Sequence, residues 1–191
     1  MKLPVSFYTR DDVVMIAREL LGKTLCTRIN GGLAKVVITE TEAYAGVGDR
    51  ASHAYGGRRT ARTEPMYAKG GIAYVYLCYG IHHLFNVVTN VEGVPHAVLI
   101  RAGTPVTGEK LMLRRRGRQR VDKASLAGPG SLSKALGITT RLTAASLQGD
   151  RIWIEENRVE PNFSRISTGP RVGVDYAGKD AKRPYRFILS L

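Results

Sequence analysis

The sequence predicts an α+β fold, with one compact domain built on a mixed and largely antiparallel sheet. Stretches with strand character outnumber helical ones, and several adjoin through short turns that are typical of hairpins. The helices that separate successive strands in βαβ repeats are missing from this pattern. No internal repeat or composition shift divides the 191 residues. Residues 1–191 are therefore predicted to form a single domain, long enough to bury a full core.

The first element is predicted to be a helix that begins after Thr9. Thr9 is a suitable N-cap, and Asp11 and Asp12 would lie in the first turn, where the helix dipole favours negative charge. Apolar residues then recur at helical spacing over Val13–Leu21. Gly22 follows the last of them and is predicted to end the helix.

A hairpin and a long loop follow this helix. The turn sequence Asn30-Gly31-Gly32 separates a predicted strand at 25–29 from another at 33–43, and Asn-Gly is a strong hairpin signal. Residues 45–71 contain six glycines and few aliphatic side chains. A compact domain rarely keeps so long a loop without a function for it.

The rest of the chain is predicted to alternate short strands and helices. Residues 72–89 form two strands joined by a tight turn at Tyr79-Gly80-Ile81, and 97–101 form another strand. Helices are predicted at 107–116 and 131–136, and closing strands at 152–155, 171–174 and 185–189.

Composition excludes several classes of protein. The chain has 29 Lys and Arg against 16 Asp and Glu, a net charge of +13. No run approaches the roughly 18–20 consecutive apolar residues of a membrane helix, and the N-terminus lacks the features of a signal peptide. Two cysteines cannot build a disulfide framework. We therefore expect a cytoplasmic protein that does not bind membranes and whose partner is a polyanion, above all nucleic acid.

Three polar residues on one predicted strand are the first candidate for chemistry. Side chains alternate along a strand, so Glu40, Glu42 and Tyr44 share a face at the mouth of the long loop. Two carboxylates beside an aromatic ring could form an acid–base site. An exposed sheet edge with solvated glutamates explains the same pattern. Spacing alone does not decide which glutamate would act.

Aromatic residues and one histidine are the second candidate. Tyr74 and Tyr76 lie on one face of their strand, whereas Tyr79 falls at the turn beside Gly80. Tyrosines within an arginine-rich surface can hold unstacked bases, and half-buried sheet aromatics are the alternative. His53, inside the glycine-rich loop, fits either a pocket lining or a solvated loop position.

Metal and nucleotide motifs are absent, whereas basic residues are dense. The four histidines and two cysteines lack the spacing of zinc ligands, so no metal site is expected. Phosphate-loop and dinucleotide motifs are missing as well. A single basic run is usually a solvated face, but with a charge of +13 a phosphate-contacting face is favoured. The basic clusters are Arg58, Arg59, Arg62 and Lys69, and a run of open function, Arg114, Arg115, Arg116, Arg118, Arg120 and Lys123.

Seven features occur in a fixed order along the chain. They are ETEAYAG at 40–46, SHAYGGRRTARTEPMY at 52–67, YVYLCYG at 74–80, Asn86, AVLIRA at 97–102, GPGSLSKALGI at 128–138 and RVGVDYAG at 171–178. Together they resemble the alkyladenine (3-methyladenine) DNA glycosylase family, which has bacterial and mammalian members. The resemblance covers nearly the whole chain and does not depend on one short motif, so it is highly specific.

The resemblance implies catalytic roles for three residues. Glu42 matches the general base that activates the attacking water, whereas Glu40 matches a framework position. Arg101 matches the arginine that helps to hold this water. The backbone carbonyl of Val172 is similar to the third anchor of the same water.

The resemblance also implies a base pocket and a wedge. Tyr44, His53 and Tyr76 match residues that line the pocket for the extruded base. Asn86 matches the asparagine that disfavours the 2-amino group of normal guanine. Tyr79 matches the tyrosine that enters the duplex through the minor groove and fills the gap left by the flipped nucleotide.

On this resemblance we expect a monofunctional glycosylase that hydrolyses the N-glycosidic bond of alkylated purines, with deaminated purines as a further class. The implied fold has a curved sheet with a protruding β-hairpin and flanking helices. The expected partner is duplex DNA with damaged purines, bound by a monomer near the bacterial nucleoid, with no cofactor and no metal. The alternative is a non-enzymatic basic nucleic-acid-binding module.

Overall fold

A computed structural model describes residues 1–120, 126–157 and 165–190. In this part of the chain, four α-helices flank one antiparallel sheet of eight strands, so the predicted α+β class is confirmed. The strands are β1 (Thr24–Ile29), β2 (Gly32–Tyr44), β3 (Ala73–Cys78), β4 (His82–Thr89), β5 (His96–Thr107), β6 (Ile152–Glu155), β7 (Ile166–Gly169) and β8 (Arg186–Leu189). The helices are α1 (Val5–Tyr8), α2 (Val13–Glu19), α3 (Glu109–Arg116) and α4 (Pro129–Leu136). None of these helices is long and apolar enough to cross a membrane.

Strand β2 lies at the centre of the sheet and carries the glutamates. The strand order is β3-β4-β5-β2-β1-β6, and β8 adds to β2 and pairs in turn with β7. Register shifts flank Glu40, between Ile38 and Glu40 and again before Thr41. Such irregularities bend a strand and re-aim its side chains. Because β2 pairs with β5 and β8 at this point, Glu42 lies within the sheet, and the exposed-edge interpretation is wrong.

The two predicted hairpins are confirmed, and the second one protrudes. At the β1–β2 turn, Asn30 and Gly31 have φ values of 51° and 76°. At the β3–β4 turn, Tyr79 and Gly80 have φ values of 50° and 73°. Tight hairpin turns of the primed type require positive φ at both central residues. Strand β5 pairs with β4 only over residues 86–89, so the far half of the β3–β4 hairpin extends beyond it.

The predicted start of the first helix is wrong. Helix α2 begins at Val13, because the Asp12 carboxylate accepts a hydrogen bond from the Met15 N–H at 2.9 Å and caps it. Thr9 instead ends the short helix α1, which the sequence did not predict. An acidic residue close to the first apolar turn is therefore the effective cap.

Two further predictions differ from the structure. Residues 171–174, predicted as a strand, form bends because the Arg171 side chain turns inward to a buried carboxylate. The strand predicted at 97–101 extends over His96–Thr107, since β2 supplies partners from Ala97 to Thr107 and β4 pairs with His96. Strand β7 was missed, and its pairing with β8 closes this edge of the sheet.

The long loop at 45–71 is ordered by a small core of its own. The main core joins α2 and α4 to the sheet through side chains such as Ile16, Val36, Phe85 and Leu132. A second cluster packs the loop against β3, β4 and β5, and it consists of Ala54, Met66, Tyr67, Tyr74, Val88 and Ala97. Short 3₁₀ turns within the loop complete its path. This cluster forms the floor of the site described next.

Candidate active site

Glu42 is a fully buried residue whose carboxylate oxygens are held by three donors. Its Oε2 accepts from the Tyr44 hydroxyl at 2.9 Å, and its Oε1 accepts from the Val172 backbone N–H at 2.8 Å. The Arg101 guanidinium lies 3.4 Å from Oε1. A carboxylate buried within a protein is tolerated only when it is paired and hydrogen-bonded. The three donors therefore fix the position of an anion beside the cavity.

Glu40 fixes the arginine that approaches Glu42. The Nε atoms of Arg101 and Arg186 both donate to Glu40 Oε1, at 2.8 and 2.7 Å. Burial opposes charge on Arg101, but the Glu42 and Glu40 carboxylates outweigh it and raise the pKa of the guanidinium. Arg101 is therefore a permanent cation held between two carboxylates, and Glu40 is bound to both Arg101 and Arg186.

Arg171 joins the C-terminal segment to the long loop. Its guanidinium donates to both carboxylate oxygens of Asp49, at 2.5 and 2.8 Å, and to two backbone carbonyls at 2.9 and 3.1 Å. The rings of Tyr44 and Tyr185 lie 4.9 and 5.3 Å from it. Because Val172 is the next residue and the Tyr44 ring packs on the guanidinium, this buried pair positions two of the three groups that hold Glu42, the Val172 N–H and the Tyr44 hydroxyl.

A cavity of about 180 Å³ opens beside these donors. Sites for drug-sized ligands usually measure about 300–1,000 Å³, so this cavity fits a single ring system. The structure brings seven of the eight predicted site residues to its lining, and the eighth, Glu42, lies directly behind Tyr44 and Val172. The seven are Tyr44, His53, Tyr76, Tyr79, Asn86, Arg101 and Val172. Their individual roles stay predictions.

Aromatic rings form one side of the cavity. The His53 and Tyr76 ring centres are 4.6 Å apart at 75°, and those of Tyr74 and Tyr76 are 5.6 Å apart at 34°. The Arg62 guanidinium lies 5.1 Å from the Tyr76 ring centre. The Tyr76 ring therefore already receives a cation, the kind of group that its electron-rich face attracts.

His53 is a neutral imidazole. Burial, together with the positive charges of Arg62 and Arg58, lowers its pKa to about 4. Its Nδ1 lies 2.9 Å from the Tyr74 hydroxyl, which fixes the ring. The solvated-loop interpretation of His53 is therefore wrong, and the cavity carries no histidine charge at neutral pH.

Asn86 points its amide into the cavity in a fixed orientation. The side chain is 3% exposed, and its Nδ2 donates to the carbonyls of Tyr74 and Leu84 at 3.2 and 3.3 Å. Both amide hydrogens are thus engaged by the backbone. The side chain forms a rigid polar patch in an otherwise aromatic lining.

Tyr79 stands out from the protein surface at the tip of the β3–β4 hairpin. The side chain is 91% exposed and is flanked by the exposed Leu77 and Ile81. The half-buried alternative is therefore wrong for Tyr79. It describes Tyr76, and Tyr74 is buried completely. An exposed apolar cluster next to a cavity is typical of an interaction surface.

The basic clusters differ in how they are paired. Arg59 donates twice to Glu64, at 2.8 and 2.7 Å, so it is already neutralised. Residues 114–116 form the last turn of α3, and Lys123 lies outside the described residues. Within the described ranges, no group of three His, Cys, Asp or Glu side chains could hold a metal ion.

Three residues of the site were not predicted from the sequence. Arg171 and Asp49 are 122 positions apart, and no local signal connects them. Tyr176 lines the cavity from the C-terminal segment and is 72% exposed. Only the motif RVGVDYAG, which contains Arg171 and Tyr176, marked that segment as part of the site.

Comparison with known proteins decides the family. The sequence profile of methylpurine-DNA glycosylase matches residues 6–190. The chain belongs to this family. A protein of Chlamydia felis is 46% identical over 99% of this chain and 96% of its own length. Proteins of Bacillus cereus and Desulfitobacterium hafniense are 45% and 43% identical over 98% of this chain and 95% of theirs. All three are provisionally named 3-methyladenine DNA glycosylase.

The methylpurine-DNA glycosylases are hydrolytic enzymes of DNA repair. The predictions of family and enzyme class are therefore confirmed, and the chain is a DNA glycosylase of the 3-methyladenine type. The alternative of a non-enzymatic binding module is wrong. The geometry of the cavity and the hairpin supports proposals on duplex recognition, lesion range and the roles of individual residues.

Proposed function

We propose that this glycosylase flips an alkylated purine, 3-methyladenine above all, out of duplex DNA and hydrolyses its N-glycosidic bond with water activated by Glu42. An active site cannot reach a base inside the duplex, so the nucleotide must be rotated out at a cost of about a few kcal/mol. The exposed Tyr79 ring beside the cavity is suited to fill the gap and offset that cost by stacking.

The aromatic lining supports a preference for cationic bases. Alkylation leaves a positive charge on the purine, which the faces of Tyr44 and Tyr76 attract. The neutral His53 adds no opposing charge. Uncharged deaminated purines would depend on hydrogen bonds and stacking alone, so we assign them to a second, weaker class of substrate. Asn86 would exclude normal guanine sterically, because its fixed side chain would clash with the 2-amino group.

The chemistry requires one base and one water. As the C1′–N bond breaks, the bond electrons leave with the purine, and a cationic alkylpurine departs as a neutral molecule. The sugar gains oxocarbenium character, which the Glu42 carboxylate stabilises. Water attacks C1′ and passes a proton to Glu42. Arg101 and the Val172 carbonyl hold this water. We place no lysine at C1′, so strand cleavage is not part of the reaction.

The observation that carries this proposal is a buried carboxylate with two hydrogen bonds and one ion pair, directly behind the lining of an aromatic cavity beside an exposed tyrosine. The test is release of free base from duplex DNA carrying 3-methyladenine, followed by chromatography in the presence of a chelator. We expect 3-methyladenine in the supernatant and an abasic but uncut strand. Release of normal guanine at the same rate, or a requirement for added metal, would contradict the proposal.

A further inference from the structure

A second concave surface adjoins the β3–β4 hairpin. Its first part, a groove of about 480 Å³, lies between His82 and His83 on the hairpin and Gly130 on α4. Past Gly137 and Thr139 it continues into a hollow of about 530 Å³. We call this second part the distal hollow. The two parts share Lys134, Gly137 and Thr139, so they adjoin, and together we call them the channel.

The distal hollow is lined by five cations and, among the described residues, by no carboxylate. The five are Arg28, Arg115, Lys134, Arg141 and Arg151. Four of them are exposed and Arg115 is half-buried. Within the described part of the chain, none of the five forms a salt bridge, whereas Arg59 on the long loop is paired with Glu64. A concave surface with one sign of charge focuses its field on a counter-ion.

Arg115 forms the floor of the hollow. Its guanidinium donates to the Ala135 carbonyl at 3.2 Å and the Ile29 carbonyl at 3.3 Å. It packs so closely on Gly137 that a Cβ there would lie 2.9 Å from its central carbon. Burial and the neighbouring Arg114 lower its pKa. Backbone dipoles thus hold a cation that an external anion would stabilise further.

The rim of the hollow is built on ordered backbone. The Arg28 N–H donates to the Arg151 carbonyl at 2.9 Å, so these two residues are adjacent. The Thr140 N–H donates to His83 Nδ1 at 3.3 Å and ties the segment that carries Arg141 to the hairpin. The backbone that carries Arg28, Arg141 and Arg151 is therefore tied together and to the hairpin.

The length of the channel along α4 can be compared with the spacing of phosphates on a DNA strand. Seven residues of α4 separate Gly130 from Gly137, which is about 10 Å at 1.5 Å per residue. Phosphates follow one another along a strand at about 3.4 Å of helix axis. The channel is therefore about as long as three phosphate steps along a duplex axis.

We propose that the distal hollow binds the phosphate backbone of the duplex arm that leaves the hairpin on this side. The inference rests on the proposed function, because the hairpin tip defines where the lesion lies. Phosphate contacts carry no sequence information, so the hollow would add affinity for flanking duplex and leave the choice of base to the cavity.

The test compares two variants of the full chain that each lose two positive charges. The hollow variant carries Arg141→Gln and Arg151→Gln, which remove two positive charges from the rim of the hollow. The control variant carries Lys110→Gln and Arg165→Gln, which remove two exposed charges that line none of the cavities described above. Each duplex carries one lesion, and each of its two arms is about 5 or about 12 base pairs long. Only the duplexes with a long arm on the side of the hollow have phosphates that can reach it. Affinity is measured across salt concentrations, and excision at saturating enzyme.

We expect the parent and the control variant to gain affinity when one particular arm is lengthened. The hollow variant should lose that gain, and its slope of log affinity against log salt should fall by about 1.8, or 0.9 per phosphate contact. Its excision rate at saturation should equal that of the parent. Equal affinity of the two variants for every duplex would overturn the proposal. So would competition by millimolar inorganic phosphate, which would mark a small-anion site.

The two proposals fail separately. If the parent releases no purine but the hollow variant still loses affinity for undamaged duplex, the proposed function is wrong and the hollow stands. If the parent excises normally and arm length has no effect, the hollow is wrong and the proposed function stands.

Discussion

Glu42 and Tyr79 represent opposite ways of building a functional residue. Glu42 is fully buried, and three donors from β2, β5 and the C-terminal segment fix its carboxylate. Tyr79 is 91% exposed and holds a left-handed backbone conformation that a tyrosine rarely adopts. The contrast follows from the partner of each residue. In the proposed reaction Glu42 acts on a water and must be positioned by the protein, whereas Tyr79 gains its partner only when DNA binds.

The largest effect is expected at Glu42. Glu42→Gln keeps the shape of the side chain and an oxygen for the Val172 N–H, so the fold should persist. Excision should fall by about 10²–10⁴-fold, the usual contribution of a general base. Single-turnover base release measures the loss, and thermal unfolding checks the fold. Glu109→Gln, an exposed carboxylate on α3, is the matched control. Parent-level excision by Glu42→Gln would remove this residue from the mechanism.

The next effect concerns the buried Arg171–Asp49 pair, and it distinguishes a role in stability from a role in positioning the donors to Glu42. Arg171→Met leaves the Asp49 carboxylate buried without its partner and should cost about 3–5 kcal/mol of unfolding free energy. Adding Asp49→Leu should recover most of that stability, because apolar pairs replace buried ion pairs well. Excision should stay low in the double variant, since the Val172 N–H and the Tyr44 hydroxyl are no longer held at Glu42.

Denaturant unfolding and single-turnover excision on the same preparations test this expectation. A double variant that regains both stability and full excision would show that Arg171 only supports the fold. Recovery of stability without the rate assigns it a positioning role.

Replacement of Tyr79 should keep or raise the unfolding free energy but lower the affinity for DNA. Tyr79→Asn places a residue that tolerates positive φ at the turn, so unfolding free energy should stay level or rise by up to about 1 kcal/mol. Affinity for lesion-containing duplex should fall by about 5–150-fold, the equivalent of about 1–3 kcal/mol of stacking. Fluorescence anisotropy measures the affinity. The same measurement on Ile81→Asn tests whether loss of another exposed apolar residue at the tip lowers the affinity equally.

The smallest effect concerns pH and the neutral state of His53. Its pKa in the folded protein is about 4, below the usual 6.5, so the unfolded chain binds a proton first as pH falls. His53 therefore contributes stability above pH 6.5 that is lost as the pH falls from 6.5 towards 4. By pH 5 the loss should reach about 1–2 kcal/mol. Urea unfolding of His53→Gln should show a flatter pH profile, and identical profiles would contradict the assignment.

Local sequence signals predicted the parts of the site that depend on neighbours in the chain. The turn at Tyr79-Gly80 follows from glycine and spacing, and the shared face of Glu42 and Tyr44 follows from strand alternation. Sequence spacing could not rank the two glutamates, because their difference comes from distant partners. Glu40 binds Arg186, 146 positions away, and Glu42 binds Val172, 130 positions away.

The failed predictions have the same physical origin. Residues 171–174 carry two valines and an arginine in alternation, a pattern typical of a strand. Two long-range contacts, Arg171 with Asp49 and the Val172 N–H with Glu42, override that local preference. The helix start differs for a local reason, since both Thr9 and Asp12 are good caps and only the geometry of the turn chooses between them.

The central place of β2 has a consequence for amide hydrogen exchange. The amides of residues 40–42 lie between strands paired on both sides, and such amides exchange only when much of the molecule opens. The far half of the β3–β4 hairpin lies at the end of the sheet and pairs only within itself, so it should open in smaller and more frequent fluctuations. Deuterium should therefore enter the amides of the hairpin that carries Tyr79 long before it reaches the amides of residues 40–42.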